Sequence, residues 1–226
     1  MYSFLIGPML WLSLLIFVGG LTWRAVQYVK GLDWRLERVA YAYGGKNGWK
    51  GALWSVFKWL IPFGTHSWRQ QGFTAVAFFL FHLGVVIAPL FLAGHMVIMR
   101  EMLGFSFPAL PVWAGDVLAV CGIAGGLMLL VRRIVLEQVR FLSNWQDWSL
   151  LALCLLVLVS GVMARFQAEG YMNWLVMHVF CGELILILAP FTKLSHIVLF
   201  FMSRGQLGMD FAIKRGGATR GPAFPW

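Results

Sequence analysis

Four histidines lie inside long apolar stretches of this sequence: His82 and His95 in one, His178 and His196 in another. An ionisable group placed in hydrocarbon is costly and is normally kept for function. A single intramembrane histidine mostly hydrogen-bonds a neighbouring helix. Two on each of two helices point further, to imidazoles that face one another across a gap. Opposed imidazoles from facing helices are the donor set of bis-histidine haem ligation. The fifth histidine, His66, falls in Pro62-Phe-Gly-Thr-His-Ser-Trp68, ahead of the first of these stretches, and reads as a surface or interfacial side chain.

The elements that must carry these histidines follow from composition. The chain has 226 residues, 60% apolar and 12% charged. Soluble domains sit nearer half apolar and a quarter charged. The apolar residues come in five blocks long enough to cross a bilayer: Ser3–Trp23, Phe73–Met99, Val112–Val131, Trp148–Ala164 and Trp174–Met202. The expected fold is therefore an all-α integral membrane protein, one domain forming a five-transmembrane-helix bundle. No basic residue precedes the first block, so it reads as a retained helix and not as a signal peptide. Sixteen of the eighteen Lys and Arg residues fall between spans one and two, after span three, or near the C-terminal end. Only Arg100 and Arg165 fall on the other side. This asymmetry predicts the N-terminus out and the C-terminus in, in the cell inner (cytoplasmic) membrane. It also spreads the net charge of +9 along membrane faces, which argues against nucleic acid as a partner.

With that orientation the histidines sort by depth. His95 is four residues before the outer end of span two, and His178 is four residues after the outer start of span five. His82 and His196 both lie toward the cytoplasm. The pairs expected are His95 with His178 and His82 with His196. The eighteen residues from His178 to His196 correspond to about 27 Å on one helix face. The thirteen from His82 to His95 give about 20 Å and place the second ring about 140° around the helix. A regular helix would not present both rings on one side, so span two must be distorted, and Pro89 lies where a distortion is needed. Pro190 stands at the equivalent place on span five.

Other polar groups sit near the outer pair. Glu183 is five residues beyond His178, a costly position for an unpaired carboxylate. It reads equally as a proton acceptor for quinol chemistry or as a carboxyl bonded to a propionate, an arginine or water. Asp116 and Arg100 stand where a quinone head group or haem propionates would reach, although solvated helix-end charges explain them as well. Gly84, Ala88, Gly94, Gly122, Gly125, Gly126, Gly182 and Ala189 would let a flat macrocycle approach, but each is equally an ordinary helix-packing position. Cys121, Cys154 and Cys181 have no CxxC spacing and read as small buried residues.

The connection 24–72 is too long for a plain loop. Its segment Trp49–Ile61 interleaves tryptophans with lysines and reads as a helix lying in the cytoplasmic membrane interface. The tail 203–226, rich in glycine and basic residues, reads as an extended arm that meets a cytoplasmic partner or anionic membrane lipid.

Phe81-His-Leu-Gly84, the Gly94-His95 pair and Leu188-Ala-Pro-Phe-Thr-Lys-Leu-Ser-His-Ile197 resemble the haem-binding helices of the respiratory nitrate reductase gamma subunit family. Within it, the chain is most similar to membrane cytochrome subunits of sulfate-reducer redox complexes, above all the E subunits of high-molecular-mass cytochrome c complexes. The resemblance covers residues 73–200. It implies two b-type haems, the outer held by His95 and His178 and the inner by His82 and His196. It also implies a periplasmic multihaem cytochrome c, other membrane subunits and a cytoplasmic iron–sulfur subunit as partners, and menaquinone as a pool. The sequence departs in its longer spacing on helix two and its longer first connection, so partner contacts there do not transfer.

The function expected is a di-haem cytochrome b that carries electrons across the membrane for anaerobic respiration. Saturated axial ligation leaves substrate chemistry to its partners. Two alternatives stand beside it. One is a quinol-oxidising cytochrome b with its own site near the outer haem. The other is a haem-free scaffold or proton-coupled transporter that uses the histidines as relay groups.

Overall fold

Proline and glycine set most of the helix ends. A computed structural model of the chain describes residues 2–32 and 48–215. The expected interfacial segment 24–72 and tail 203–226 thus fall partly outside the described residues, at 33–47 and 216–226. Five helices are long and apolar enough to cross a membrane. They are α1 (Tyr2–Lys30), α4 (Gly72–Phe91), α6 (Val112–Val135), α8 (Trp145–Arg165), and a fifth running Tyr171–Phe191, of which Tyr171–Leu188 is α9. Shorter helices lie between and after them: α2 at residues 48–60, α3 (His66–Gln70), α5 (Ala93–Leu103), α7 (Glu137–Leu142) and α10 (His196–Arg215). Among the described residues there is no β-strand. The chain is thus an all-helical, multi-pass membrane protein.

Two of the five expected spans are cut short, for one kind of reason. Span two was expected to run to Met99 but stops at Phe91. Pro89 has no N–H to give the Val85 carbonyl, and its ring crowds the preceding turn. The helix answers with a wider π-helical turn over Leu83–Ile87 and then breaks at Leu92, whose ψ of 134° is extended. Leu92 is held there by packing on Gly115, where a Cβ would fall 2.3 Å from Leu92 Cδ2. The backbone N–H of Leu110 also bonds the Phe91 carbonyl at 2.9 Å. Span five was expected to run to Met202. It ends in a 3₁₀ turn at Ala189–Phe191, beside Pro190, and a second turn covers Lys193–Ser195. Thr192 organises the reversal: its hydroxyl donates to the Leu188 carbonyl at 2.8 Å and accepts from the Leu194 N–H at 3.3 Å. A new helix, α10, starts at His196 and stays helical as far as Arg215, where an extended arm had been expected after Ser203.

The remaining spans are longer than expected. α8 starts at Trp145 because Asn144 and Asp147 form a capping box. Asn144 Oδ1 accepts from the Asp147 N–H at 3.2 Å, and Asp147 Oδ2 accepts from the Asn144 N–H at 3.0 Å.

The chain divides into two compact units, Met1–Ser13 with Phe73–Ile185, and Leu14–Gly72 with Leu186–Trp226. In the first, α4 and α6 meet backbone to backbone. A Cβ at Gly84 would fall 2.4 Å from Gly122 Cα, and one at Gly125 would fall 2.4 Å from the Phe81 nitrogen. Gly126 gives way to Leu155 of α8, whose Cδ2 would lie 2.6 Å from a Cβ. Such small-residue contacts let helices associate in lipid, where no hydrophobic force drives them together.

In the second unit, α2 lays a stripe of small residues, Gly48, Gly51, Ala52 and Ser55, into the fold. A Cβ at Gly208 of α10 would meet the Gly51 carbonyl at 2.4 Å. Arg204 of α10 donates to Ser55 Oγ at 3.3 Å, and its guanidinium stands 4.6 Å from the Trp59 ring centre. Tyr28 donates to the Gln206 carboxamide. The opposite face of α2 leaves Trp49, Leu53, Trp54 and Phe57 exposed. The helix expected over Trp49–Ile61 is therefore present over 48–60, with Trp49, Trp54 and Phe57 outward and Trp59 turned toward Arg204.

Candidate functional site: a facing pair of histidines

The break at Leu92 decides where His95 goes. It starts α5 as a separate helix, with His95 in its first turn. His178 comes from the middle of α9. Their rings stand with centroids 5.8 Å apart and planes 10° from parallel. Parallel rings at that spacing are either an offset stack or imidazoles turned nitrogen to nitrogen. An imidazole nitrogen sits roughly 1 Å from its ring centre, and metal–nitrogen bonds are about 2.0–2.1 Å, so opposed axial imidazoles have centroids roughly 6 Å apart. The observed separation is close to that value.

The protonation pattern fits the same use. His178 Nδ1 donates to the Val157 carbonyl of α8 at 2.8 Å. That assigns the proton to Nδ1 and leaves the Nε2 lone pair for a ligand, the arrangement metal-bound histidines ordinarily adopt. His95 Nδ1 is buried and faces the Pro89 carbonyl without closing a hydrogen bond of ordinary geometry. Gly94 beside it has nothing within 4 Å of where a Cβ would stand. The His178 ring is tightly seated against α8.

The other two histidines belong to different units, His82 to the first and His196 to the second. His82 ends the regular part of α4, just before the π turn. Its Nδ1 lies 2.8 Å from the Phe78 carbonyl, and its ring stacks obliquely on Phe78 with centroids 3.9 Å apart. Phe81 meets the same ring edge-on at 5.6 Å. His196 was expected inside the fifth span. It lies past the end of that span, exposed, as the first residue of α10, with Nδ1 2.8 Å from the Lys193 carbonyl. Pro190 is the cause, because it stops the helix before His196 is reached. At His82, His178 and His196 alike, a backbone carbonyl fixes the same tautomer.

Glu183 on α9 is 2% exposed, and neither carboxyl oxygen has a hydrogen-bond partner among the described residues. It lies five residues past His178, about 7.5 Å along the helix. Asp116 is taken up by Arg165, which reaches Oδ1 at 3.2 Å and Oδ2 at 3.4 Å, tying α6 to α8. Arg100 is exposed on α5. His66, the first residue of α3, is exposed with Nε2 2.9 Å from Gln70 Nε2. Cys121, Cys154 and Cys181 are free thiols. Among the described residues, no cluster of three or more His, Cys, Asp or Glu side chains could hold a metal ion. A metal at His95 and His178 would thus meet these two imidazoles and no third such side chain among the described residues.

No family model matches the sequence, and no solved structure matches it. It is similar to a protein of Nitratidesulfovibrio vulgaris (strain Hildenborough), with 61% identity over 226 residues and the whole length of both chains covered. The chain belongs to that protein's family.

Three residues of the site carried no signal in the sequence. Val157, Ser160 and Gly161 sit mid-span in α8, where a carbonyl, a small hydroxyl and a glycine look like helix-packing residues. Only the position of the His178 ring gives them a role: a Cβ at Gly161 would fall 2.8 Å from His178 Cε1.

Proposed function

We propose that the chain is a cytochrome b-type electron-transfer subunit of a membrane redox complex, with His95 and His178 as axial ligands of one b-type haem. The observation carrying this is the parallel, 5.8 Å separation of the two imidazoles. The residues present fit the group: a planar tetradentate macrocycle would supply donors that the described residues do not add to the two imidazoles. The haem would supply reversible one-electron chemistry, and two axial imidazoles would leave no position for oxygen or substrate. The chain's own work is to hold and orient. Val157 fixes the His178 tautomer, the Leu92 break aims His95, and the apolar spans exclude water.

His82 and His196 are the ligands proposed for a second haem, supported by the resemblance of their flanking residues to those of nitrate reductase gamma subunits. The distribution of Lys and Arg supports an N-out, C-in topology in the cytoplasmic membrane, with the His95 and His178 end outward. Electrons would then pass between a periplasmic multihaem cytochrome c or the quinone pool and a cytoplasmic iron–sulfur subunit.

A second reading, quinol oxidation on this chain, is favoured by Glu183. A buried carboxyl with no partner, about 7.5 Å along α9 from His178, is suited to accept a proton as quinol is oxidised.

Oxidised and dithionite-reduced spectra of the purified chain, with a haem-to-protein ratio, test the proposal. About two haems per chain are expected. His95→Ala and His178→Ala should each remove the same one, and His82→Ala and His196→Ala the other. A protein without a b-type spectrum would end both cytochrome readings.

A further inference from the structure

Three features of α8 converge on one imidazole. The Val157 carbonyl accepts the His178 Nδ1–H at 2.8 Å. The same carbonyl lies 3.1 Å from the hydroxyl of Ser160, which also reaches the Leu156 carbonyl at 2.6 Å. At Gly161, a Cβ would fall 2.8 Å from His178 Cε1 and 2.9 Å from Nδ1. The ring occupies the volume that any side chain at that position would take.

The spacing has a helical logic. The carbonyl of residue i in an α-helix points at the N–H of residue i+4, so the Val157 carbonyl points toward Gly161. A side chain at Gly161 would fence that carbonyl off from α9. With no side chain there, an imidazole from the neighbouring helix can enter and share the carbonyl. Ser160 is fully buried, and its single hydroxyl proton is divided between two carbonyls, one of them the acceptor that His178 uses.

We infer that Gly161 and Ser160 are positioning residues for His178. Gly161 opens the Val157 carbonyl to the ring, and Ser160 sets how much of that carbonyl's accepting capacity the ring receives. The inference rests on the haem reading above and deepens it. A stronger hydrogen bond from Nδ1–H pushes electron density toward Nε2 and makes the imidazole a better donor to a metal. A better donor favours the oxidised, more positive metal. A competing hydroxyl on the same carbonyl weakens the bond and favours the reduced state. Ser160 thus holds the reduction equilibrium of the His95–His178 site above the value that His178 and Val157 alone would set.

The test uses the full chain in lipid nanodiscs, with haem content, redox titration and the low-spin ferric resonance spectrum as readouts. Ser160→Ala should keep full haem content and thermal stability. One of the two redox transitions should move toward the oxidised form by roughly two- to tenfold in equilibrium constant, the range one neutral hydrogen bond is worth. Gly161→Ala should displace the ring and remove that same haem, leaving the other transition where it was. Because Gly161→Ala could also fail to fold, Ser160→Ala stands as the independent arm. An unchanged or oppositely shifted equilibrium in Ser160→Ala, or full haem content with unchanged resonances in Gly161→Ala, overturns the inference. A wild-type chain without haem would instead refute the reading it rests on.

Discussion

Gly84 separates two uses of small residues in this bundle, room for a macrocycle and room for another helix. It sits two residues past His82, inside the π turn of α4. A Cβ built on it would fall 2.4 Å from Gly122 Cα, 3.1 Å from Gly122 N and 3.2 Å from the Leu118 carbonyl oxygen. All three atoms are backbone, so no side chain can swing aside. Carbon atoms in contact rest about 3.5–4.0 Å apart, so Gly84→Ala requires α4 and α6 to part by about an ångström or more. Parting them also loosens the Gly125 contact with Ala77 and Phe81. Overpacking of this kind costs about 1–3 kcal/mol, and a backbone-on-backbone clash belongs at the upper end. The assay is reversible unfolding of haem-free protein in bicelles, from a haem-deficient host. Gly182→Ala serves as the control, since nothing lies within 4 Å of a Cβ there. Gly84→Ala should lower stability by about 2–3 kcal/mol, with Gly182→Ala near zero. If Gly84→Ala leaves haem-free stability intact and lowers only haem content, the glycine makes room for a cofactor and the packing argument is wrong.

The remaining predictions concern polar groups. Glu183→Leu should raise the stability of haem-free protein by about 1–3 kcal/mol, because it removes a buried carboxyl with no partner among the described residues. A loss on thermal unfolding would mean the carboxyl is satisfied. Asn144→Ala breaks the capping box of α8 and should cost about 1 kcal/mol, seen as faster hydrogen exchange in the first turn of that helix. Unchanged exchange would refute the cap.

How far the sequence was legible depended on where the signal lay. Blocks of apolar residues declared five crossing helices, because length and hydropathy are summed over many residues and one misread residue changes little. Their ends were read less well. Val112 was placed correctly as the start of α6, since Pro111 stands before it. Met99 and Met202 were misplaced as ends, since apolar residues continue past helices that Pro89 and Pro190 interrupt. A proline signals that a helix must yield but not how. At Pro89 the outcome is a π turn followed by an extended Leu92. At Pro190 it is a pair of 3₁₀ turns. Those outcomes depend on Gly115 and Thr192, which are remote from the prolines in one case and adjacent in the other. The histidines were legible as residue types, although His196 falls past the end of the fifth span and not inside it. Gly161 and Val157 were not, because a glycine four residues after a valine acquires meaning only when an imidazole from another helix is set against it.

The pairing of His95 with His178 was the harder one to expect, because thirteen residues of regular helix put His95 about 140° from His82. The obstacle turns out to explain the arrangement. A straight span two would fix the bearing of His95 from that of His82, while its glycine face stayed locked on α6 at Gly122 and Gly125. The break at Leu92 uncouples them. α4 keeps the close contact with α6 that Gly84 permits, and α5 begins with its own direction and carries His95 to within 5.8 Å of the His178 ring. Packing and presentation of the ring therefore pull on different helices. A helix with both duties and no break would have to give up one of them, which is why the distortion lies between the two histidines and not beyond either.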